Sequence, residues 1–193
     1  MVLIFLKNLA IDKALCYLIC IMIELLIMYV VREREKTLYA IRKEIIEIFG
    51  VYTVPSIGTI HPALKRLVSL GALSLKERMS DGGKKSSYYS LTKSGLETFK
   101  KIFFSTTRDN PSLFYTNVQS RIGTMSMLNE EEKVKFVKEV LKKIELYSLE
   151  IESKLKDEFI ELDYYQVQML KRSLSEFKTL GEFIQNLKVS DVG

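Results

Sequence analysis

Residues 55–95 read PSIGTIHPALKRLVSLGALSLKERMSDGGKKSSYYSLTKSG, and the fold is decided within them. Ser56 can cap a helix that runs to Leu70, and Gly71 is a natural stop. Ile57, Ile60, Leu64 and Leu67 recur at helical spacing and line one face. At about 100° per residue, the opposite face carries Gly58, Thr59, Pro62, Lys65, Arg66 and Ser69, with His61 at its margin. Beyond Gly71, Ala72–Glu77 and Lys84–Leu91 alternate with period two around the turn signal Ser80-Asp81-Gly82-Gly83, which predicts a β-hairpin. Period two sends Leu91 and Tyr89 to the core and leaves Ser86 and Tyr88 outside. Thr92 then caps a closing helix from Lys93 to about Phe104.

Upstream, Leu38, Ile41, Ile45 and Phe49 repeat at helical spacing after Thr37, and Gly50 ends a helix of about three turns. Two helices joined by the short connector Val51–Pro55 and followed by a hairpin make a winged helix-turn-helix. The outward face of the second helix is small, polar and basic. Taken alone, such a face also fits an ordinary amphipathic helix; beside a wing it suits insertion into a DNA major groove, where Lys65 and Arg66 reach phosphates or guanine edges and Ser56 and Thr59 approach closely. Lys84 and Lys85, next to two glycines at the wing tip, suit a backbone or minor-groove contact.

Charge agrees with this division. Met1–Phe104 has sixteen Lys and Arg against nine Asp and Glu, whereas Ser105–Gly193 has thirteen against fifteen, so the basic half should be the one that meets a polyanion.

The runs PSIGTIHPALKRLVSLGALSLKE and DGGKKSSYYSLTKSG resemble the core signature of the PadR family of transcriptional regulators. Members typically read S-x-G-T-L-Y-P-A-L-x-R-L-x-x-x-G-L-I and then G-G-R-x-x-K-Y-Y-x-L-T-x-x-G, and the likeness covers roughly Leu38–Leu96. It carries over Ser56, Gly58, Thr59, Pro62, Ala63, Leu64, Arg66, Leu67 and Gly71, then Gly82, Gly83, Tyr88, Tyr89, Leu91, Thr92 and Gly95. Two departures stand out: His61 where members have Tyr, and TLYAIRKEI where members read L-Y-G-Y-E-I. His61 can donate to a phosphate or base, or pack at the apolar margin. The resemblance implies duplex DNA as partner, a helical carboxy-terminal dimerisation region and a small aromatic or hydrophobic effector.

Ala14–Val31 reads ALCYLICIMIELLIMYVV, with Glu24 as its one charge. The length suits a membrane span, but a charge near the centre costs roughly 2.5–3.5 kcal/mol on insertion. A helix apolar all round is buried in protein or in lipid, and protein is the simpler choice ahead of a helix-turn-helix. The leading MVLIF carries no basic n-region and no small-residue cleavage pattern follows the run, which argues against a secretory signal. Cys16 and Cys20 read as small buried hydrophobes in a reducing, cytoplasmic compartment.

In the second half, Asn129 caps a helix opened by Glu130-Glu131-Glu132. Val134, Val137, Leu141, Ile144, Ile151 and Leu155 suggest a coiled-coil-like seam. After a break near Leu162, Val167, Leu170, Leu174, Phe177, Ile184 and Leu187 form a second, interrupted by Gly181. Two such helices need a partner surface, supplied by a second copy or by folding back on the first domain.

The expected architecture is mainly α. A winged helix-turn-helix domain with a small β-wing spans residues 1–104, and a helical dimerisation region spans 105–193. The expected DNA-contacting residues are Ser56, Thr59, His61, Lys65, Arg66, Lys84, Lys85 and Tyr88, in a homodimer that binds an inverted repeat and represses by occlusion. No phosphate loop, zinc spacing or nucleophile with a matched base appears, so neither an enzyme nor a cofactor is expected. Two other readings predict different behaviour: a winged-helix protein-interaction module would show no salt-sensitive DNA affinity, and a regulator anchored by residues 14–31 would fractionate with membranes.

Overall fold

The computed structural model describes residues 21–79, 83, 85–105 and 111–187. Cys16, Cys20, Lys84 and the turn residues Ser80–Gly82 lie outside them. The chain divides into two compact units, with the boundary between Met127 and Leu128. Among the described residues it is mainly helical, with one three-stranded antiparallel sheet.

The first unit opens with helix α1, residues 21–30. Ile23, Leu25, Leu26, Ile27 and Met28 are all buried, so this part of the apolar run is covered by protein. Among the described residues no helix is long and apolar enough to cross a membrane. Strand β1 (Lys36–Thr37) leads into α2 (Leu38–Phe49), which buries Ile41, Ile45 and Phe49. Gly50 ends α2 in right-handed rather than left-handed conformation, and the Tyr52 and Thr53 N–H groups turn back onto the Phe49 carbonyl. Arg42 Nε donates to the Pro55 carbonyl at 3.0 Å, tying the connector to α2.

Helix α3 (Ile57–Ser69) buries Ile60, Ala63, Leu64 and Leu67. It stops in a Schellman turn: Gly71 adopts φ +67°, its N–H bonds the Val68 carbonyl, and the Ala72 N–H bonds the Leu67 carbonyl. The chain then pairs β2 (Leu73–Met79) with β3 (Lys85–Leu91), from Leu73 opposite Leu91 to Met79 opposite Lys85. Strand β1 adds to the other edge of β3, with Thr37 opposite Tyr88. Tyr89 is buried, as period two requires, while Ser86 and Tyr88, expected outside, and Leu91, expected in the core, are all half-buried. Burial holds the Tyr89 phenol above its ordinary pKa, because the phenolate would lose hydration there.

The root of the wing is clasped to α4 (Lys93–Phe103). Thr92 Oγ1 donates to the Gly71 carbonyl at 2.7 Å and accepts from the Gly95 N–H at 2.9 Å. Gly95 lies so close that a Cβ there would stand 2.2 Å from the Ala72 carbonyl oxygen.

The first unit continues past Phe104, where the sequence pattern suggests a domain boundary. Helix α5 (Pro111–Thr124) packs back through Arg121, a buried cation whose Nε donates to the Phe103 carbonyl at 2.7 Å, capping α4 at its negative end. Gly123 rests on Phe49: a Cβ there would come within 2.5 Å of that ring. A 3-10 turn, Met125–Met127, closes the unit.

The second unit is an antiparallel helical hairpin. Helix α6 (Glu130–Lys156) begins with a capping box between Asn129 and Glu132, and α7 (Tyr164–Gln185) with one between Asp163 and Gln166. The buried stripe of α6 is Lys133, Phe136, Val140, Ile144 and Ile151, so the seam expected through Val134, Val137 and Leu141 is out of phase: Val134 is exposed and the other two are half-buried. On α7 the buried residues are Phe177, Leu180, Gly181 and Ile184. Gly181 belongs to the seam and does not interrupt it, since the place of its missing side chain lies 3.5 Å from Ile144 Cγ2. Tyr147 and Phe177 stack with ring centroids 5.5 Å apart.

Candidate nucleic-acid interface

The outward face of α3 starts at its cap. Ser56 Oγ accepts the Thr59 N–H at 3.1 Å and shares a hydrogen bond with Thr59 Oγ1 at 2.9 Å, so both hydroxyls hold the helix end at the surface. Gly58 is exposed, and a Cβ on it would meet nothing nearer than Ser56 Oγ at 3.5 Å. Protein packing therefore does not require glycine there. His61, Pro62 and Lys65 are exposed along the same helix, which places His61 on the outward side rather than in the core. No Asp or Glu occurs between Pro55 and Lys76, so this face has no acid of its own.

Arg66 departs from the expectation of a residue aimed outward alone. Its Nε donates to Glu24 Oε1 at 2.8 Å, linking α3 to α1. In the sequence Glu24 stands out as an obstacle to membrane insertion but gives no sign of this partner, because 42 residues separate the two.

On the wing, strand register divides the expected contacts. Lys85 lies opposite Met79, on the face shared with Glu77, and its Nζ pairs with Glu77 Oε2 at 2.6 Å. Tyr88 lies opposite Lys76, on the other face, with the Arg78 guanidinium 5.2 Å above its ring. Arg78 also pairs with Glu35. Tyr88 and Lys85 thus face opposite sides of the hairpin. Lys76 and Arg78 are exposed cations absent from the expected contact set, because in an alternating strand they look like ordinary solvated residues.

In β1, Lys36 is a buried cation. Its Nζ reaches the Val30 carbonyl at the end of α1 and both oxygens of Glu44 on α2, at 2.8 and 2.7 Å. A cation at a helix C-terminus is favoured by the helix dipole, and Lys36 thereby ties α1, β1 and α2 together. Among the described residues, no group of His, Cys, Asp and Glu is arranged to hold a metal ion.

The model of the transcriptional regulator PadR-like family matches residues 27–101. No curated protein matches the sequence. Among solved structures, Bacillus subtilis PadR in complex with operator DNA is similar at 17% identity, over 84% of this chain and 94% of that one, with a TM-score of 0.39. The smu.1604c protein from Streptococcus mutans UA159 is similar at 22% identity, over 84% and 95% of the two chains, with a TM-score of 0.39. Bacillus subtilis PadR in complex with p-coumaric acid is similar at 19% identity, over 86% and 93%, with a TM-score of 0.36.

Proposed function

We propose that this chain, whose residues 27–101 match the model of the transcriptional regulator PadR-like family, is a regulator and not an enzyme, that it binds duplex DNA through α3 and the wing as a homodimer, and that it represses transcription in the cytoplasm by occluding a promoter. The outward face of α3 carries the proposal. It is free of acids, it presents Lys65 and His61 to solvent, and at Gly58 it leaves open a space that the fold does not use. A face of that kind lets a helix N-terminus come close to a duplex, where backbone N–H groups favour phosphate and Lys65 can reach a base edge or the backbone. Ser56 and Thr59 shape the cap, and Lys84, Lys85 and Tyr88 supply the wing contacts. A small aromatic or hydrophobic effector belongs to the same reading.

Two recognition helices related by a dimer axis call for an inverted repeat with half-site centres about 10 base pairs apart, or a multiple of that. The test is selection of bound duplexes from a random pool, followed by salt titration on the winner and a scrambled control. An inverted repeat bound more tightly than the control, with affinity falling as salt rises, is the expected result. Failure to enrich any sequence, together with salt-insensitive binding, would remove DNA from the reading.

A further inference from the structure

The ion pair between α1 and α3 is more than the fold requires. Glu24 lies among fully buried apolar residues, Ile23, Leu25 and Leu26, where a leucine would pack without the cost of desolvating a carboxylate. What the acid adds is its charge, placed 2.8 Å from Arg66 Nε. Arg66, for its part, remains within reach of a ligand: its side chain is 44% exposed, on the helix side that also presents Pro62, Lys65 and Ser69.

On the reading that α3 enters DNA, we propose that Glu24 is a specificity-determining residue: its carboxylate competes with DNA phosphate for the Arg66 guanidinium and so limits the grip of the recognition helix on duplexes of any sequence. A cation held by an internal counter-ion releases fewer counterions when DNA arrives. Sequence-independent affinity therefore stays low, and base contacts made elsewhere on α3 account for a larger share of binding. Glu24 touches no DNA in this scheme; it acts as a positioning residue through Arg66.

The experiment uses the full chain with Glu24→Gln and Glu24→Leu, the second matched to the apolar surroundings. Binding to the selected operator and to a scrambled duplex is measured across salt concentrations. Neutralising one more phosphate steepens the dependence of log affinity on log salt by about 0.9, so a fourfold rise in salt should cost the variants roughly 3.5-fold more affinity than it costs the parent. The scrambled duplex should bind more tightly and the operator-to-scrambled ratio should fall. Adding Arg66→Met to Glu24→Leu should abolish the increment. An unchanged slope in a folded variant overturns the proposal, as does an increment that survives loss of Arg66. Unfolding of both Glu24 variants also overturns it, since Glu24 is then a structural tether. A parent chain without salt-sensitive DNA binding is a different failure, visible before any variant is made, and it would strike the DNA-binding reading itself.

Discussion

A Cβ added at Gly58 stays 3.5 Å from its nearest neighbour, whereas one at Gly95 would stand 2.2 Å from the Ala72 carbonyl oxygen. The two glycines therefore answer to different demands. Gly58→Ala should leave thermal stability unchanged or raise it, since alanine favours a helix by about 0.5–1 kcal/mol over glycine. If DNA occupies the space, the same methyl should weaken operator binding by about 1–3 kcal/mol, the usual cost of overpacking a close contact. A calorimetric scan beside a binding titration separates the two effects, and equal operator affinity would move DNA away from this turn. Tyr89 offers a check on the wing root. Its phenol is held above the ordinary value of 10.0 by burial, so the unfolded chain ionises first as pH climbs. The stability this group supplies is complete below pH 10 and is lost as pH rises through the raised folded value. Tyr89→Phe should lose less stability than the parent between pH 8 and pH 10.5, read from thermal midpoints at both.

Helix α3 and the wing should divide the work between specificity and general affinity. Lys85 pairs with Glu77 at a site where both side chains are at least half exposed, an ion pair worth about 0–1 kcal/mol that phosphate can displace. Lys84→Ala with Lys85→Ala should weaken binding to all duplexes alike and flatten the salt slope by roughly two. Lys65→Ala should lower operator affinity by about 1–3 kcal/mol and spare the scrambled duplex, if Lys65 reads a base edge. Equal losses on both duplexes would leave α3 as a positioning element only. Much of the fold was legible in the sequence, because caps and stops are local chemistry: Ser56, Thr92 and Asn129 cap their helices where side-chain type and spacing put them. Strand β1 was not legible, since two residues have no period, and α5 was not, since its apolar residues form no clear stripe. The stripe of α6 is easily placed out of phase because Val134, Val137 and Leu141 share their spacing with Phe136 and Val140, and a buried Lys133 disguises the true face. Arg66 carries no local sign of Glu24, which a register of neighbours along one helix cannot supply.

At the scale of the whole chain, the extent of the first unit sets where it can be divided. A chain ended after Met127 keeps Arg121 on the Phe103 carbonyl, while one ended after Phe104 loses it. The longer fragment should unfold cooperatively at a higher temperature than the shorter, and should bind a single half-site weakly because two linked sites become one. Dimerisation through the second unit has its own check. Leu146 and Leu149 on α6 are 62% and 58% exposed, which leaves apolar surface on that helix uncovered within one chain. Leu146→Glu with Leu149→Glu should convert a dimer to monomer in sedimentation, and a variant that remains dimeric would place the interface elsewhere. The Glu24–Arg66 pair also bears on how the protein is made. Its partners are 42 residues apart, and at a synthesis rate of about 5–20 residues per second the arginine is added roughly 2–8 s after the glutamate. Through that interval the nascent α1 is a greasy segment with an unmatched charge, outside the ribosome or still in its tunnel, and α3 cannot yet cover it. A chaperone that holds hydrophobic nascent chains should therefore engage this protein early and let go once α3 emerges.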